Sequence, residues 1–147
     1  MLDRRKVLAS LTIAGTALFH PARAQQTGAP ASMPGMAPGM MTAESCIDSC
    51  WRSHVICIQT ERYCVEKGAS QAVVALLGDC AEMCQKTANS LLRRSSQHAV
   101  VCVACALMCD ACTTSCETFT DDERMLACAR TCRACAEHCR DMSKMPI

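Results

Sequence analysis

The sequence has almost no aromatic side chains: one Trp, one Tyr and two Phe in 147 residues, 3% of the chain. Aromatics normally supply much of the buried area of a core, so smaller side chains must fill this interior. An excess of one charge is missing too. Fifteen Lys and Arg face fourteen Asp and Glu, +1 overall, which gives no basic footprint for nucleic acid and no strong pull toward an anionic membrane. Uninterrupted apolar runs stay short of the ~18 residues that suggest a spanning helix. Strand-like alternation is absent. So are a Ser-His-Asp set, paired inward carboxylates and a phosphate-binding loop, so catalysis is not expected.

What the chain has instead is cysteine. All fifteen lie between Cys46 and Cys139, at intervals of mostly three, four or seven residues. An α-helix turns about 100° per residue, so residues at those intervals share one face. Cys46, Cys50, Cys57 and Cys64 make one stripe. Cys80 and Cys84 begin a second, Cys102, Cys105, Cys109, Cys112 and Cys116 form a third, and Cys128, Cys132, Cys135 and Cys139 a fourth. Cysteine thus stands where a helical bundle would carry leucine, and the thiols must supply much of the core themselves.

The pattern predicts an all-α, antiparallel four-helix bundle over residues 43–145. Helix 1 is expected from Ala43 to Lys67, with Thr42 as N-cap and Gly68 as stop. Helix 2 starts after Ser70 and ends at Arg93-Arg94. Helix 3 opens at Ser95 or Ser96 and runs to about Phe119. Thr120-Asp121-Asp122-Glu123 reads as a capping box for helix 4, which continues to about Met142. Short connections between helices of this length favour an up-down-up-down order. That order brings Cys46, Cys50, Leu91, His98, Cys102, Cys139 and Met142 to one end, and Cys64, Val73, Leu77, Cys116 and Cys128 to the other.

Ahead of the bundle, Arg4-Arg5-Lys6, the apolar run Val7 to Ala17 and the Ala22-Arg23-Ala24 cleavage pattern read as a twin-arginine signal peptide over residues 1–24. Export to the periplasm follows, and the mature chain would be slightly acidic. Residues 25–42 form a Pro/Gly/Met-rich tail in which helix is disfavoured. Its Met33, Met36, Met40 and Met41 fit either a segment that captures a soft metal through thioethers or a plain spacer.

Disulfides are the common role of cysteine in exported chains. Against them stand the odd number, the helix-face stripes and an export route that carries proteins already folded in a reducing cytosol. Soft thiolates select Cu(I), Zn(II) or iron–sulfur clusters. The C-x2-C-x2-C cluster signature followed by proline is absent, and the C-x2-C pairs lie inside continuous stripes, unlike the paired zinc knuckles of loops. Two-coordinate Cu(I) needs only two sulfurs. The pairs Cys46/Cys50, Cys80/Cys84, Cys105/Cys109, Cys112/Cys116, Cys128/Cys132 and Cys135/Cys139 offer them at i,i+4. Bridging thiolates at about one Cu(I) each would leave the core near neutral, whereas isolated tetrathiolate zinc sites bury net negative charge. Multiple Cu(I) ions are the favoured cargo. Zn(II) or another soft metal, or a disulfide-bonded bundle, is the alternative.

The Cys-striped helices, the repeated C-x3-C pairs and the twin-arginine leader resemble the exported copper storage proteins of bacteria, a likeness covering roughly residues 43–145. That resemblance implies a reversible Cu(I) store in a four-helix bundle, a homotetramer, and supply of copper to enzymes. It also implies Met and His ligands at an open end, for which His98, one turn before Cys102, and Met142, in the helix 4 stripe, match by position. Each has a second reading, His98 as an exposed helix start and Met142 as a core plug. His54 and His138 lie off their stripes and read as solvated flanks. Met83, Met108 and Met125 read as packing between helices or subunits.

Overall fold

The computed structural model describes residues 42–147; the signal-peptide and Met-rich-tail readings fall almost wholly on residues outside them. Among the described residues the secondary structure is four helices, α1 (Ala43–Lys67), α2 (Gln71–Leu92), α3 (His98–Glu117) and α4 (Glu123–Met142). Each neighbours the next in the chain, and α4 returns to pack on α1. An antiparallel four-helix bundle results, with its axis lined by cysteine.

Local chemistry sets the ends of the first two helices where the sequence places them. Thr42 and Ser45 exchange side-chain and backbone bonds in a capping box. Gly68 stops α1 at φ 69°, a left-handed conformation that costs glycine nothing, and Ser70 caps α2. The other two starts differ from expectation. Ser95 does not open α3: its hydroxyl accepts from Gln97 N at 3.2 Å and its carbonyl from His98 N at 3.0 Å. The chain spends those residues in a turn that begins at Arg94, φ 49°. The cap of α4 is Asp122 in place of Thr120, because its carboxylate serves two orphan amides, Arg124 N at 3.0 Å and Met125 N at 3.2 Å.

Every cysteine is buried. Around them the core holds Ala81, Ala88, Ala106, Ala129 and Ala136, with Leu77, Leu91, Met125 and Met142 as the larger buried apolar side chains. Small side chains let the helices approach closely and leave the axis to sulfur. Ion pairs such as Arg133–Glu117 and Arg140–Asp110 tie α4 to α3 at the surface, where such contacts add little stability. By length and composition α3 is apolar enough to cross a membrane, with a mean hydropathy of 1.8. Its character has two sources: five thiols turned inward, and an exposed stripe of Val100, Val103 and Leu107 on the outer face.

Candidate metal centre

The stripes converge on the axis, and the closest sulfur contacts cross between helices. Cys57 meets Cys132 at 3.5 Å and Cys128 at 3.8 Å. Cys84 meets Cys109 at 3.6 Å and Cys105 at 3.8 Å. Cys50 lies 3.7 Å from both Cys135 and Cys139, and Cys46 lies 3.9 Å from Cys139. Cys112 and Cys132 are 3.7 Å apart, and Cys80 and Cys109 3.9 Å. All fifteen are free thiols; a disulfide would need sulfurs about 2 Å apart.

Five groups emerge in which all the sulfurs lie within 4.8 Å of one another: Cys46/Cys102/Cys139, Cys50/Cys105/Cys135/Cys139, Cys84/Cys105/Cys109/Cys135, Cys57/Cys80/Cys112/Cys132 and Cys112/Cys116/Cys128. Cys105, Cys135, Cys139 and Cys112 each belong to two groups, so the column can be built from shared, bridging sulfurs. Of the i,i+4 pairs read from the sequence, Cys105/Cys109, Cys112/Cys116 and Cys135/Cys139 fall within a single group. Cys46/Cys50, Cys80/Cys84 and Cys128/Cys132 are each divided between groups. Sulfurs from different helices lean toward the common axis, so a thiol often finds its nearest partner across the bundle.

Proton affinity is uneven within these groups. Cys80 is held below the ordinary thiol value by hydrogen bonds, that of Cys109 first and then those of Cys112, Cys132 and Cys57. Cys57 is pushed up, by Cys112 first, then Cys128, Cys132, Cys80 and burial. Close thiols thus set one another's proton affinity through their mutual hydrogen bonds.

Four side chains in the same inward registers escaped the sequence reading: Ser53, Thr60, Thr87 and Thr113. All are buried, and each hydroxyl donates to a main-chain carbonyl, of Thr131 (3.3 Å), Ile56 (2.7 Å), Met83 (2.8 Å) and Ala129 (3.3 Å) respectively. Their signal is the alternation of three- and four-residue steps, as in Cys46, Cys50, Ser53, Cys57, Thr60, Cys64. They are satisfied spacers in the column.

The two ends differ. At the first, Met142 is buried and lines a cleft of about 460 Å³ with Ala43, Ile47, Leu91 and Met145. His98 is also buried, 8% exposed, so the exposed helix-start reading does not hold. Its Nδ1 lies 3.1 Å from the Ser95 carbonyl and its Nε2 2.8 Å from that of Met145. At the second end, Tyr63 donates to Asp122 at 2.8 Å. Beneath that bond, the Cys64 thiol donates to the Met125 thioether at 3.6 Å. Burial first, then the charge of Asp122, pushes the Cys64 thiol up. Met125 is therefore a core residue, 1% exposed; Met83 and Met108 are half-buried against the core.

The flanking histidines are not simply solvated. His54 is half-buried, with Nδ1 2.9 Å from the Ala81 carbonyl and its ring edge-on to Trp51. His138 is half-buried too, and its Nδ1 has no hydrogen-bond partner among the described residues.

A family model described as copper storage protein matches residues 40–144. Among solved structures, a protein of Nitrosospira multiformis is 38% identical with a TM-score of 0.64, over 69% of this chain and 94% of that one. The Cu(I)-bound copper storage protein BsCsp3 is 30% identical with a TM-score of 0.66, over 69% and 97%. The apo form of copper storage protein 3 from Bacillus subtilis is 30% identical with a TM-score of 0.64, over 69% and 99%. Curated proteins give no significant match.

Proposed function

This chain belongs to the copper storage protein family, and from that premise we propose that it holds many Cu(I) ions at once on its core thiolates, as a store and not a catalyst. One observation carries the reading: every cysteine except Cys64 falls in a buried group of three or four sulfurs, and several sulfurs serve two groups. Soft, anionic, shareable ligands suit a soft monovalent ion. One Cu(I) per bridging thiolate replaces the thiol proton charge for charge, so a filled column stays near neutral. A capacity on the order of a dozen ions follows from that balance.

Copper moves by exchange between neighbouring sulfurs, an incoming thiolate binding before the departing one leaves. We place its entrance at the end formed by Cys46, His98, Cys102 and Met142, where a cleft opens beside a buried thioether. His98 can offer a nitrogen there only after a carbonyl contact opens. The Arg4-Arg5 pair, the run Val7 to Ala17 and the Ala22-Arg23-Ala24 pattern support export to the periplasm. The exposed Val100/Val103/Leu107 stripe supports burial of α3 between copies in a homotetramer.

Anaerobic titration of the reduced protein with Cu(I) against a competing chelator, with thiols counted before and after, tests the store. Uptake of about a dozen ions per chain is expected. Saturation at two or three, or mostly oxidised thiols in protein isolated from the periplasm, would overturn it.

A further inference from the structure

Cys64 is the one thiol that the five groups leave out. It lies on the inward stripe of α1 and is only 2% exposed, yet its close sulfur partner is the thioether of Met125, 3.6 Å away on α4. Met125 stands one turn before Cys128, so the inward stripe of α4 reads Met125, Cys128, Cys132, Cys135, Cys139, Met142, with a buried thioether at each end. The Cys112/Cys116/Cys128 group is the next layer of the column.

We infer that Cys64 and Met125 form a further Cu(I) site, a mixed thiolate–thioether pair that ends the column beneath the Tyr63–Asp122 bond. This inference rests on the storage reading and adds a ligand to it. Thioethers and thiolates both select Cu(I), whereas protein zinc sites use thiolate, imidazole and carboxylate. One thiolate and one Cu(I) are neutral together, so the pair needs no bridging sulfur to balance charge in a buried place. Binding replaces the thiol proton with the metal: the S–H bond breaks, the S–Cu bond forms, the proton leaves to solvent, and no oxidation state changes. The pair is held for the task. The Met125 amide is fixed by the Asp122 cap at 3.2 Å, and Asp122 is in turn fixed by Tyr63, so both sulfurs sit on restrained backbone.

The test uses full-length selenomethionyl protein, loaded anaerobically with Cu(I), and selenium-edge X-ray absorption. Met125→Leu conserves volume. It is expected to bind about one Cu(I) fewer than the unsubstituted protein, a single copper per site of this kind, and to lose part of the Cu–Se scattering. Cys64→Ser, which keeps Met125, should show the same losses, and the double variant no more than either alone. Should Met125→Leu fail to fold, the loss of Cu–Se scattering in Cys64→Ser decides. Undiminished capacity with an unchanged selenium spectrum in the folded variants would overturn the site. An unsubstituted protein that saturates at two or three ions would instead overturn the storage reading, so the two failures are distinct.

Discussion

The two ends of the bundle are closed by different means. At the Gly68 end, side chains on two helices lock together: Tyr63 to Asp122 through a hydrogen bond, and Cys64 to Met125 through sulfur. Lys67 and Arg124 lie over the Tyr63 ring at 5.7 and 5.4 Å. At the Thr42 end, closure comes from the residues that follow α4, with the Met145 carbonyl on His98 and the Met145 side chain against the core. Opening the Gly68 end means parting α1 from α4. Opening the Thr42 end means displacing only the short segment after α4, a local motion that leaves the helices paired. That difference supports the proposed copper entrance at the Thr42 end, with retention at the other.

The largest test of this asymmetry is a matched pair of leucines. In metal-free protein, Leu77→Ala should cost about 2–5 kcal/mol, the usual range for a buried leucine whose surroundings hold their shape. Leu91→Ala should cost less, because the cleft that Leu91 lines with Met142 and Met145 can relax into the space. Equal losses in urea unfolding would erase the distinction. Next in size is removal of residues 143–147. Losing the Met145 carbonyl contact with His98, about 1 kcal/mol net, together with the Met145 packing, should speed Cu(I) loading by about fivefold or more with capacity unchanged. An unaltered stopped-flow rate would move the entrance elsewhere.

The smallest effect lies at the locked end. The Tyr63 hydrogen bond, aided by the amides of Met125 and Arg124, holds the Asp122 carboxyl below its ordinary value of 3.8. A carboxylate lowered in this way stabilises the fold above its unfolded-state value, and that contribution fades as pH falls through the lowered one. Tyr63→Phe should raise the Asp122 midpoint in a carboxyl NMR titration and narrow the stability difference between pH 7 and acid. Copper release from loaded protein should not change. Faster release would mean that the Tyr63 end also opens.

Much of this was legible because helical periodicity and sulfur chemistry agreed. Stripe phase put all fifteen thiols inward, and Thr42, Gly68 and Ser70 bounded their helices as their side chains dictate. The starts of α3 and α4 were harder. Ser95 and Thr120 have the chemistry of caps, but the turn after Arg94 engages the first, and the Asp122 carboxylate outcompetes the second. Sulfur partnership was the least legible part. It depends on how four helices rotate and slide against one another, which no single stripe records, so Cys57 with Cys132 and Cys64 with Met125 emerge only in three dimensions.

A core of thiols, alanines and a handful of large side chains also sets how long each molecule survives. Ligands that bind only the folded state add to its stability site by site, and here the ligand crosslinks all four helices from within. A laden bundle should resist digestion for as long as its cargo stays, while an emptied one is held only by the burial of its thiols, alanines and few larger side chains. Protease susceptibility then reads the load directly. Emptied copies should be digested first and laden ones spared.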